Sequence, residues 1–195
     1  MESMQSKKDC ILENETAFAY ELSAAVFEKP KMNVWMILIP IIIVFHMYRH
    51  QRYVDGRRSF IENYLVTRKR VLEAACAACQ SGEKTDMQQL VAASDIPAQT
   101  RKEYREWIEL LFDHYQVLIM ARGQDYQSLV RNYYKTKTNY LLFLNQLNQA
   151  EQRFNNALKP HIETKENMHT IEQTISNIEH HSEVLRRKVG DTIFA

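Results

Sequence analysis

Glycine and proline are scarce in this chain, four of each in 195 residues. So few helix breakers leave long uninterrupted stretches and predict an all-α protein, with each breaker serving as punctuation. Cysteine is scarcer still. Cys10, Cys76 and Cys79 are too few and too unevenly spaced for a disulfide framework. A surplus of charge is missing as well: 25 Lys and Arg face 24 Asp and Glu, a net charge of +1. No global field therefore draws the chain to nucleic acid, and no such partner is expected. The sequence also lacks a Gly-rich phosphate loop, a G-x-S-x-G, an H-E-x-x-H and any recognisable pair of catalytic carboxylates. An enzyme is not expected, and neither is a cofactor.

What is present is one apolar insert in a polar chain whose mean hydropathy is −0.44. Met32 to Tyr48 reads MNVWMILIPIIIVFHMY and carries no charge. As a helix it rises about 26 Å, against a hydrocarbon core of about 30 Å, a short but workable span. Lys31 lies on one flank and Arg49 and Arg52 on the other, while Trp35 and Tyr48 suit the two interfaces. Pro40 stands at its middle, a position that membrane helices tolerate. The expectation is a transmembrane anchor over 31–48. A cleaved signal peptide fits poorly, because a long acidic stretch precedes the run and no small-residue cleavage site follows it.

Basic residues set the expected orientation. Lys29 and Lys31 precede the run, whereas Arg49, Arg52, Arg57 and Arg58 follow it. This predicts a single-pass protein with the tail outside and the C-terminal body cytoplasmic. A re-entrant insertion kinked at Pro40, with both flanks cytoplasmic, is the alternative. The same four arginines open a basic neck, continued by Arg68, Lys69 and Arg70, that suits lipid headgroups.

Around the anchor the organisation is helical. In residues 1–30, Ile11, Leu12, Phe18, Ala19, Leu22 and Val26 recur at helical steps, predicting a short helix on the membrane surface or against a partner. After the neck at 49–58, residues 59–122 read as a helical hairpin region. Ile61, Leu65, Arg68, Leu72, Ala75 and Cys79 make a heptad-like stripe that Gly82 closes. A helical turn is expected over 86–93, and a helix over 97–122 with Tyr104, Trp107, Ile108, Leu111, Tyr115, Leu118 and Ile119 inward. Residues 123–195 read as a long helix pair or coiled coil. One helix over 124–158 carries Tyr126, Val130, Tyr133, Lys137, Tyr140, Leu144, Leu147, Glu151, Phe154 and Leu158 in alternating steps.

Beyond Pro160 the pattern resumes in a new phase, which favours a folded-back hairpin over one rod. Met168, Ile171, Ile175, Ile178, Leu185 and Val189 form a narrow seam with a polar layer at Ser182, and Asp191–Ala195 is expected as a tail. The seam suits self-association or a protein partner, or packing on Leu144, Leu147 and Phe154 of the same chain. The function this predicts is interaction: a membrane-anchored scaffold, adaptor or accessory subunit, with lipid bilayer and protein as partners. The alternative is a redox or cofactor-holding subunit using His46 and His50, four apart on one helical face, or the C-x-x-C of Cys76 and Cys79. Cys76 and Cys79 lie in AACAAC beside the apolar stripe, where a free thiol packs as a small hydrophobe. No metal site is expected, since neither pair has further ligands at a familiar spacing.

Overall fold

The computed structural model describes residues 3–27, 56–161 and 168–195. All regular structure among them is helical: α1 (Met4–Phe27), α2 (Gly56–Ser81), α3 (Met87–Ala92), α4 (Arg101–Met120), α5 (Tyr126–Tyr134), α6 (Lys137–Leu158) and α7 (Met168–Ile193). The apolar run with Trp35, Pro40 and Tyr48, the flanking Arg49 and Arg52, and His46 and His50 lie outside the described residues. So do the side chains of Arg57, Met168 and Ile171. No helix among the described residues is long and apolar enough to cross a membrane.

Local chemistry sets the element ends. Gly82, at φ 71°, closes α2 by donating its N–H to the Ala78 carbonyl, a left-handed position that glycine takes without a Cβ clash. Asp86 caps α3 by accepting from the backbone of Gln88 and Gln89. The helix expected over 97–122 starts later, at Arg101, and Ser94 caps nothing. Its hydroxyl turns back to the Val91 carbonyl, and a 3-10 turn over Ala98–Thr100 leads into α4. The expected single helix over 124–158 is two helices. The chain breaks at Lys135, at φ 63°, and restarts from Thr136, whose hydroxyl accepts from the Asn139 N–H. Lys137 and Tyr133, both expected in a continuous stripe, are exposed. The C-terminal tail is also helical, through Ile193. Gly190 is buried there against α6, where a Cβ would come within 3.1 Å of Leu141.

The long helices form one bundle. Lys8–Glu73 (4.0 Å), Glu15–Arg68 (3.0 Å) and stacked Phe18–Tyr64 (5.9 Å) pair α1 with α2 in opposite directions. Tyr104–Phe154 (5.2 Å), Glu106–Arg153 (3.5 Å) and His114–Phe143 (4.3 Å) pair α4 with α6, again antiparallel. Asn155–Glu179 (2.6 Å) and Lys137–Asp191 (3.0 Å) show α7 folded back along α6, a hairpin around Pro160. The seam residues Ile175 and Ile178 are thereby buried inside this chain, with Leu185 and Val189 half-buried against the same cores.

α1 is part of the body rather than an appendage. Ile11, Ala19 and Leu22 are fully buried, and Lys7 donates to the carbonyls of Ile119 and Ala121 at the end of α4 (2.9 and 2.6 Å). Burial of each such Ile or Leu contributes roughly 1.5–3 kcal/mol. A single pass with α1 outside and the body inside would pull α1 from this core, so the packing gives that topology no support. Leu22→Ala should therefore lower stability by about 2–5 kcal/mol in denaturant melts. Tyr20→Ala, on the exposed side of the same helix, should cost less than about 0.5 kcal/mol. Equal, mild effects would mean that α1 is not docked.

Candidate functional site

Where the long helices meet, the core is charged. Arg68 on α2 is 3 % exposed. Its Nη2 donates to Glu151 Oε1 at 2.7 Å, and its Nε lies 3.0 Å from Glu15 Oε2. The Nε–H is not aimed at that oxygen and makes no hydrogen bond, so this second contact is purely ionic. The guanidinium also lies 3.8 Å from the centre of the Tyr64 ring, a cation–π contact strengthened by burial. Glu151 on α6 accepts in addition from Arg186 Nη1 on α7 at 2.6 Å and from the Trp107 indole on α4 at 3.2 Å. Arg186 also donates to Asn148, and Tyr115 donates to Glu15 at 2.8 Å. Five long helices thus share two arginines and two glutamates.

Electrostatics fix the protonation of this cluster. Burial alone would raise the Glu151 carboxyl, but Arg186 and Arg68 bring it down to about 2. Burial opposes the two guanidinium charges, yet the neighbouring Glu151 carboxylate holds both arginines protonated. The Tyr64 and Tyr115 phenols are pushed up, chiefly by burial. Paired charges of equal number leave no net field to draw an ion. Two cavities of about 40 and 70 Å³ flank the cluster, one beside Glu15 and Arg186, the other beside Thr67 and Ser182. Those are solvent-molecule volumes, well below the roughly 300 Å³ at which organic ligand sites begin. The arrangement clamps helices in register; it offers no free acid, base or nucleophile.

A second polar knot adjoins it. His114 on α4 is buried, its Nδ1 2.8 Å from the Tyr134 hydroxyl and its Nε2 3.4 Å from that of Tyr126, which in turn meets Tyr140 at 3.2 Å. The ring stacks on Phe143 at 4.3 Å. Burial lowers the His114 pKa to about 3 and lifts that of Tyr140 to about 12, so every member is neutral near pH 7. The outer side of His114 lines a solvent-open groove of about 550 Å³ between α4, α5 and α6, along Leu110, Val117, Tyr133 and Leu142.

The residues singled out from sequence are scattered relative to these features. Cys76 is buried and Cys79 half-buried, both as free thiols whose pKa burial pushes up, against thiolate chemistry. Among the described residues no group of three His, Cys, Asp or Glu is placed to hold a metal. Arg58 is exposed and paired with Glu62 at 2.8 Å. Arg68 leaves the basic neck altogether, since its side chain points into the core. Arg186, beside the seam on the last helix, is 6 % exposed. Glu15 and His114 carried no expectation. For Arg68 and Glu151 there was a signal: each occupies an apolar position of its stripe. The chain matches no family model, no curated protein and no solved structure.

Glu151→Ala leaves two buried arginines without their shared anion and should cost about 3 kcal/mol in denaturant unfolding. Acid should destabilise the fold in two windows. Between about pH 6.5 and 3 the unfolded chain binds a proton at residue 114 that the folded chain refuses, so stability falls as pH drops. Between about pH 4.5 and 2 Glu151 adds a fall of the same sign. Melts of His114→Gln across pH 7 to 4.5 should lose the first slope relative to the parent chain; an unchanged slope refutes the assignment.

Proposed function

We propose that the chain is a membrane-anchored helical interaction protein, a scaffold, adaptor or accessory subunit of a membrane complex. The observation that carries this is the charge-free run Met32–Tyr48, bracketed by Lys31 and by Arg49 and Arg52, in an otherwise polar chain. The helical bundle supports it as the water-facing body, held on the membrane with its C-terminal part cytoplasmic. Large apolar side chains left in water, Met120 at 74 % exposure and Leu142 at 59 %, suit contact with a protein. Self-association through the α7 seam is the weaker form, because Ile175 and Ile178 are already buried within the chain. The raised thiols of Cys76 and Cys79 disfavour the redox alternative on that pair.

Flotation with phospholipid vesicles tests the anchor. The full chain should rise with the vesicles, and Ile41→Asp/Ile43→Asp should remain at the bottom with the melting behaviour of the body unchanged. A parent chain that stays at the bottom refutes the proposal. An absorption spectrum and metal analysis of the same sample showing bound haem or metal would transfer the function to the cofactor-holding alternative.

A further inference from the structure

We infer that the chain enters and leaves the membrane by the same face, so that α1 and the rest of the bundle share one compartment. This rests on the anchor proposed above and deepens it. The antiparallel pairs Lys8–Glu73, Glu15–Arg68 and Phe18–Tyr64 climb α1 while descending α2 in number. Phe27 and Gly56, the described residues on either side of the apolar run, therefore come out at one end of the bundle. The packing holds up to that end: Val26 is 3 % exposed and Phe60 is fully buried, both in one cluster with Ile61 and Ile178. A chain that crossed once would have to part α1 from α2 along this whole length.

Length closes off a double crossing. About 28 residues separate Phe27 from Gly56, while two helical crossings of about 30 Å need roughly 40. One leaflet is a different matter. Pro40 stands at the middle of Met32–Tyr48 with about eight residues on either side, too few for either half to cross the roughly 30 Å of hydrocarbon by itself. The flanks agree. Lys29 and Lys31 on one side and Arg49 and Arg52 on the other are both basic, relieved only by Glu28 and Asp55, and basic flanks are retained on the cytoplasmic side. Both would rest among the headgroups of a single leaflet, beside Arg58 at the start of α2. The partner of this end of the bundle is thus one leaflet of an anionic bilayer.

The test uses the full chain with a small epitope tag before Met1 in one version and after Ala195 in another. Each is expressed in cells, with flotation of the membrane fraction confirming the anchor and protease protection locating the tag. Both tags in the cytoplasmic compartment is the expected result. Tags in opposite compartments overturn the inference while leaving the anchor standing. A chain that fails to float with its membranes overturns both, and the two failures are read from separate measurements.

Discussion

Arg68 stands at the centre of the bundle with its guanidinium between Glu15 and Glu151 and over the Tyr64 ring, and the placement of every long helix answers to it. A buried cation without partners carries a penalty of several kcal/mol, so α1 and α6 must each deliver a carboxylate to the same point. Glu151 in turn recruits Arg186 and the Trp107 indole, which fixes α7 and α4. An apolar core of the same volume would be comparably stable. What the charges add is register: a helix shifted by one turn would strand a charge rather than trade one methyl contact for another.

Beside this knot the aromatic layer does related work without charge. His114, Tyr126, Tyr134 and Tyr140 satisfy one another's polar atoms at buried positions, and they span α4, α5 and α6. The break between α5 and α6 belongs to that arrangement. Tyr134 precedes the turn and Tyr140 follows it, and their rings come within 5.0 Å. Asn139 holds the turn by donating to the Tyr134 carbonyl.

The all-α class and most inward faces were legible in the sequence, because a 3.6-residue period needs nothing but the order of apolar side chains. The stripe Ile61, Leu65, Leu72, Ala75 is buried as its spacing predicts, as is the Tyr104-to-Ile119 face of α4. The charged centre was half legible. Arg68 and Glu151 interrupt apolar stripes, which marks them as inward but says nothing of their partners. Those partners come from helices remote in sequence, and no local period encodes them. Arg186 shows the converse. It lies beside the apolar seam rather than on it, and only the approach of α6 covers it. The turn at Lys135 was hidden by a heptad pattern that runs unbroken through it, while its signal, a Thr136 cap three residues before Asn139, is weak against nine alternating steps of four and three.

Docking of α1 also sets an order of events when the polypeptide is made. Its contacts reach Tyr115 and Ile119, 100 and 112 residues downstream, and Arg186 on α7 closes the cluster later still. α1 therefore leaves the ribosome well before the helices that seat it, and its greasy face waits through their synthesis without cover. For a nascent chain with the apolar run Met32–Tyr48 next in line, early capture by a chaperone or by the membrane itself becomes a condition of folding rather than a convenience.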